Sequence, residues 1–268
     1  MLKIIHCEFA KLKRKHFVFL VILAALLFPI PMTAMFLLLP RLHDKYPTAA
    51  MQFDGMWQSV LGFGIQMLLP CILGVLAAIL FFMERDNNTF KNLRAIPVTS
   101  KQMVVGKIAV LFIFSIIFCL ASTIVSILLG GVFFEVTGVF YKLWMSVLMG
   151  IMVTAGTLPL VIVIVLFNKT YIFSVLLCIF YSVLNSFAEF MMTELPKAVV
   201  FALPVPLINL WSSNDMQNHV IMGDADDLLM FKSLDLIPST KLTFTILAVM
   251  AFTSVGIIIY LYKKWEEC

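Results

Sequence analysis

Charge is scarce in this chain. Of its 268 residues only 13% are Asp, Glu, Lys or Arg, while 62% are apolar, including 25 Phe and 17 Met. A water-soluble chain carries about a quarter charged residues, and without them there is too little polar surface to cover a core. The solvent must therefore be largely lipid. Catalytic motifs are equally absent. His6 and His16 precede the first apolar run and His43 and His219 fall in loops, so no Ser/His/Asp constellation assembles. There is no HExxH and no paired-acid motif of an intramembrane protease. The five Cys form no CxxC and pair with no His, which excludes a zinc site and a disulfide framework as expectations. No catalytic residue and no metal are expected. A phosphate-cradling loop needs Gly-x4-Gly-Lys-Ser/Thr; the one Gly-Lys, Gly106-Lys107, continues into Ile108 and has Lys101 where the first Gly should stand. The net charge of +4 does not indicate nucleic acid. Its basic residues sit in short runs beside long apolar stretches, where they act as topology signals.

Six of those stretches are long enough to cross a hydrocarbon core of about 30 Å as helix. They run near Phe17–Leu39, Val60–Phe82, Val104–Phe134, Leu143–Phe167, Tyr171–Phe187 and Leu242–Tyr262. The first has an apolar core about twice that of a signal peptide and no convincing cleavage pattern, so it is expected to be retained as a span. No 20- to 50-residue repeat and no low-complexity linker divides the chain. The fold class expected is all-α integral membrane, with six transmembrane helices in one domain over 17–268. Placing both termini, the 83–103 connection with Lys107 and the Asn168–Thr170 turn on one side gives that side 13 Lys and Arg against five acids, and the other six against ten. Basic residues are retained on the cytoplasmic side, so both termini are expected to be cytoplasmic.

Three segments lie outside this pattern, and a few residues interrupt it. Residues 1–16 place Leu2, Ile5, Phe9 and Leu12 on one helical face and Lys3, Cys7, Lys11 and Arg14 on the other. That pattern predicts an amphipathic interfacial helix that favours anionic lipid, although a plain positively charged flank explains the charges alone. The connection from Met83 to Met103 is short and polar; Asp86, Asn87 or Asn88 can cap a brief helix that presents Phe90, Leu93 and Arg94 before Pro97 stops it. Thr99 or Ser100 is then placed to cap the third span. The large external loop, about 188–241, holds a Pro-broken apolar stretch at Ala198–Trp211, predicted to be interfacial or re-entrant. It is followed by Asp215, Asp224, Asp226, Asp227 and Asp235, either a solvated loop or an attractor of cationic substrate. Within the spans the polar exceptions are Gln66, Glu135, Asn185 and Glu189. An intramembrane ionisable group is a functional candidate, and these four are candidates for a substrate path, with interfacial solvation as the competing account. Pro29, Pro31, Pro70 and Pro159 can kink their spans, and Gly74 with Ala78 makes a small-xxx-small packing pair.

Together these features resemble the permease subunits of type-2 ABC exporters, especially those of lantibiotic and bacitracin self-protection transporters. The resemblance rests on six spans in a chain of this length, on the acid-then-basic segment Glu8 to Lys15, and on Glu84 ending the second span. It also rests on the run Asn88-Thr89-Phe90-Lys91-Asn92-Leu93 with Pro97-Val98-Thr99-Ser100, on Lys107 opening the third span, and on the long loop before the sixth. It implies that Glu84, Asn88, Thr89, Phe90, Leu93 and Arg94 form the coupling element that docks on a separate cytoplasmic ABC ATPase. It further implies that ATP and Mg belong to that partner, that a second permease, self or related, completes the transporter, and that the site is a bacterial cell membrane. The expected cargo is an amphipathic, cationic antimicrobial peptide moved off the membrane. Two alternatives stay open: the same permease serving a drug, lipid or polysaccharide, and a non-transporting membrane sensor or scaffold.

Overall fold

In a computed structural model, residues 2–13, 17–86, 99–167, 170–220 and 225–267 are described. Their order is α1 (Leu2–Lys13), α2 (Phe17–Leu26), α3 (Pro29–Leu38), α4 (Pro40–Lys45), α5 (Ala49–Ser59), a π-helical segment (Val60–Leu68) and α6 (Leu69–Asp86). Then follow α7 (Ser100–Phe133), α8 (Val139–Leu166), α9 (Tyr171–Phe190), α10 (Lys197–Ala202), α11 (Pro204–Met216), α12 (Ala225–Ser233) and α13 (Thr240–Glu267). Six helical stretches are long and apolar enough to cross a membrane: α2 with α3, α5 through α6, α7, α8, α9 and α13. An even number of crossings puts both termini at one end of the bundle, here the terminal end; the other is the distal end.

Local chemistry sets the boundaries. Thr99 caps α7 by accepting from the Gln102 amide, while the Gln102 side chain reaches back to the Thr99 amide, a reciprocal arrangement that satisfies two otherwise orphaned donors. Pro29 lies at the start of α3, where its missing N–H costs nothing. The expected first span, Phe17–Leu39, is consequently two helices broken at residues 27–28. The second span departs most from expectation. Its helix begins at Ala49, not Val60, and passes through the π-helical turns before α6. Pro70 supplies the reason: it has no N–H for the carbonyl of Gln66, four residues back, so the hydrogen-bond frame is displaced there.

The core is built around α8, which packs against α6, α7, α9, α11 and α13. Two-thirds of its spanning window is buried, against only 22% for α13, which faces outward along most of its length. Small residues bring the central helices together. At Gly150 an added Cβ would lie 3.0 Å from the Ile116 backbone of α7, and the Ser115 hydroxyl donates to the Gly150 carbonyl at 2.8 Å. Gly74 on α6 leaves room for Cys178 of α9, and Gly156 on α8 leaves room for Pro204 at the tip of α11.

The Pro-broken stretch after α9 folds back as the hairpin α10–α11. Pro204, Leu207, Ile208 and Trp211 are buried. Its tip meets Gly156, 17 residues into α8 and so about 25 Å from that helix's distal end at 1.5 Å per residue. The other end of α11 lies beside the start of α8, where the Tyr141 hydroxyl donates to Asp215 at 2.8 Å and the Tyr141 ring stacks on His219. Gly156→Ala should therefore drive a methyl into rigid Pro204 and cost about 1–3 kcal/mol, roughly 2–12 °C of melting temperature. Gly256→Ala, where an added Cβ meets nothing within 4 Å, should leave melting in detergent unchanged.

Candidate functional site

Polar side chains inside an apolar bundle must find partners within the protein, and following those partners locates three centres. The first joins α9 to α11. Asn185 is buried; its amide donates to the Tyr181 carbonyl at 2.9 Å and its oxygen accepts from the Val205 backbone N–H at 3.4 Å. One turn on, Glu189 accepts from the Asn209 amide. The pairing 185–205 and 189–209 runs the two helices side by side in the same direction. The Asn209 oxygen accepts from the Ser213 hydroxyl at 3.0 Å, which leaves the amide nitrogen for Glu189.

Beside this contact lies a cavity of about 360 Å³, bounded by the π-helical segment, α9, α11 and α12. Gln58, Ser59, Ser186, Glu189, Asn209 and Ser213 give it a polar side. Tyr46, Phe63, Met67, Phe190 and Phe231 give it an apolar one. Burial pushes the Tyr46 phenol above its usual range, so this ring stays neutral. The π-helical turns carry Gly62, Phe63 and Met67 to the cavity, and such turns are frequent at functional sites. Two groups nearby in the fold are orphaned: among the described residues, Gln66 Oε1 on the π-helical segment and Ser182 Oγ on α9 are buried without a hydrogen-bond partner.

The second centre is an ion pair at the distal end. Lys142 Nζ donates to Asp54 at 2.7 Å and to the Thr137 carbonyl at 2.7 Å, and the Thr137 hydroxyl donates to the same carboxylate at 2.9 Å. Both charged side chains are 1% exposed. The ammonium lies 4.9 Å from the Phe53 ring and 5.3 Å from that of Trp57, the range of a cation–π contact. The Trp57 indole donates to Thr123, which shares a 2.6 Å hydrogen bond with Ser146. One network thus fastens α5, α7 and α8. Gly138, in the left-handed region at φ +55°, makes the turn that brings Lys142 back over Thr137.

The third centre lies at the terminal end. Lys107 of α7 is fully buried, 3.4 Å from Glu8 of α1, and donates to the Leu80 carbonyl of α6 at 2.7 Å. Glu8 also accepts from Lys11 at 2.6 Å. Phe9 stacks on Phe114 and Ile4 covers Gly106. The face of α1 turned to the bundle therefore includes the carboxylate of Glu8 together with Ile4, Phe9 and Leu12, and not an apolar stripe alone.

Of the residues expected on a substrate path, Asn185 and Glu189 act together at the α9–α11 contact, and Gln66 lies in the π-helical segment. Glu135 does not join them; it is exposed in the connection between α7 and α8, outside the cavity. Of the coupling residues, Asn88, Thr89, Phe90, Leu93 and Arg94 lie outside the described residues, as does the side chain of Glu84 at the end of α6. Of the acids after α10, Asp215 accepts from the Tyr141 hydroxyl and Asp235, at the surface, pairs with Lys197. Asp54 and Lys142 carry no sequence motif; the available signal was an acid and a base at matching ends of neighbouring spans.

Six helical stretches long and apolar enough to cross a membrane, packed around a hub helix laced by buried polar contacts, define a multi-pass membrane protein. The chain belongs to the ABC-2 family: residues 4–185 match the family described as ABC-2 family transporter protein. It is thus the permease subunit of an ABC transporter, the transmembrane component and not the ATPase, and the family works with an ATPase partner. The match covers α1 through most of α9 and stops before Glu189 and the α10–α11 hairpin. A comparison with curated proteins gives no match.

Breaking a buried pair leaves one charge uncompensated, whereas replacing both partners by apolar groups does not. Lys142→Met should destabilise by about 3–5 kcal/mol, and Asp54→Leu with Lys142→Met should recover most of that loss. Thermal unfolding of the three proteins in one detergent measures the difference.

Proposed function

We propose that this permease subunit exports an amphipathic, cationic antimicrobial peptide, taking it from the membrane with energy supplied by a separate cytoplasmic ATPase. The observation that carries the cargo class is the two-sided cavity, polar along Glu189 and Asn209 and apolar along Phe63, Phe190 and Phe231. A ligand with one charged and one hydrophobic side matches it, and a cavity bordered by spans can receive such a ligand from lipid. In this reading both termini face the cytoplasm, α1 rests at the inner leaflet, and a second permease, self or related, completes the transporter.

The coupling element is residues 84–94, with Phe90, Leu93 and Arg94 meeting the ATPase. The Lys107 contacts support that role. They tie α1, α6 and α7 together at the two ends of that connection, so a push on it reaches three helices at once. Closure of the ATPase on nucleotide then changes the packing of the spans.

Affinity purification of the tagged chain from its native host, in mild detergent, tests this. A stoichiometric ABC ATPase should co-purify, and its recovery should fall at least about tenfold when Leu93 and Arg94 are both changed to Asp, since two charges then oppose a docking contact. A chain that purifies without any nucleotide-binding partner would favour the sensor or scaffold instead.

A further inference from the structure

We infer that the cavity beside Glu189 is a subsite for a single organic cation, one ammonium or guanidinium group on an apolar stem, and that it seats about one or two side chains of the cargo. The inference rests on the export reading and adds to it which part of a cargo is recognised and by what.

Among the described residues two acids are buried in the bundle, Glu8 and Asp54, and Glu189, half-buried at the cavity wall, is set against them. Asp54 is answered by Lys142, and Glu8 by Lys107 and Lys11. Glu189 is answered by an amide, Asn209, and among the described residues no Lys, Arg or His lines its cavity. A carboxylate half-withdrawn from water on the wall of a cavity, answered only by a neutral amide, favours a cation there. The remainder of the site suits that cation. Asn209 is itself oriented by Ser213, so it holds one carboxylate oxygen and leaves the other side of the group to a ligand. Aromatic rings from four separate segments, Tyr46, Phe63, Phe190 and Phe231, border the same space, and ring faces attract ammonium and guanidinium groups. Size sets the limit. With about 30 Å³ per water in the liquid, 360 Å³ corresponds to roughly a dozen waters, too little for a peptide of twenty residues and enough for its terminal amine or one Lys or Arg with a neighbour. The rest of such a cargo stays in the bilayer.

The full chain in lipid nanodiscs is titrated with three probes: a synthetic amphipathic Lys/Leu peptide, the same peptide with every amine acetylated, and phenethylammonium. The first and third should bind at the site and compete with each other, and acetylation should weaken peptide binding at least about tenfold. Glu189→Gln should produce the same loss for both cations, Phe63→Ala a smaller one, and Glu135→Gln none. Retained folding of the variants is read from their melting temperatures, and Phe63→Ala preserves the test if Glu189→Gln unfolds. Equal affinity for the acetylated peptide, or for Glu189→Gln, overturns the subsite; peptide-stimulated ATP hydrolysis by the co-purified complex would then still uphold export. Conversely, phenethylammonium bound through Glu189 with no peptide stimulation of the complex keeps the subsite and removes peptide export.

Discussion

A polar group in hydrocarbon has no water to fall back on, and the arrangement of this bundle follows from how each such group is met. Hydroxyls of Thr33, Ser126, Ser146, Thr154 and Thr157 turn back onto carbonyls of the preceding turn, the cheapest solution, because it asks nothing of a neighbouring helix. Charges cannot be met that way. Lys107 and Lys142 reach across to other helices, and each recruits a backbone carbonyl as well as a carboxylate. Such pairs add little net stability over apolar packing. What they do is make one arrangement of the helices far better than its neighbours, since a shifted helix would strand a charge.

The two ion-pair networks lie at opposite ends of α7, joining it to α5 and α8 at one end and to α1 and α6 at the other. At the distal end Lys142 belongs to α8 and its network reaches α7 through Thr123. At the terminal end Lys107 belongs to α7. Between them the α7–α8 contact is close, with Gly150 against Ile116. The π-helical turns with the orphaned Gln66 oxygen, and α9 with the orphaned Ser182 oxygen, border the cavity and lack such ion-pair ties among the described residues.

The number of spans was legible because a run of twenty apolar residues has one stable use in lipid. So were Asn185 and Glu189, which stand out as polar residues near the end of an apolar helix. Asp54 and Lys142 were not. A hydropathy window treats a charge as the end of a span, so it starts the second span after Asp54 and the fourth after Lys142 and includes neither residue. Only the pairing, 88 residues apart in sequence, reveals them as buried. Glu8 was hidden for a similar reason: its partner lies 99 residues away, and a lone acid beside four basic residues reads as part of a charged flank. The break in the first span and the π-helical turns had a local cause, in Pro29 and Pro70, but proline alone does not say whether a helix bends, breaks or shifts its bonding.

The hairpin α10–α11 is enclosed by helices on both sides of it in the chain. Its tip rests on α8 and its side on α9, both made earlier, while Trp211 donates to Thr240 and packs edge-on against Phe244 of α13, made later. During synthesis the hairpin can therefore find its seat at Gly156 as soon as α9 is in place, yet its Trp211 side stays uncovered until the last helix inserts. The hairpin is thus fully packed only once α13 is in place. A chain without α13 would leave the Trp211 indole N–H without its Thr240 acceptor inside hydrocarbon, a polar exposure that the packed bundle does not have.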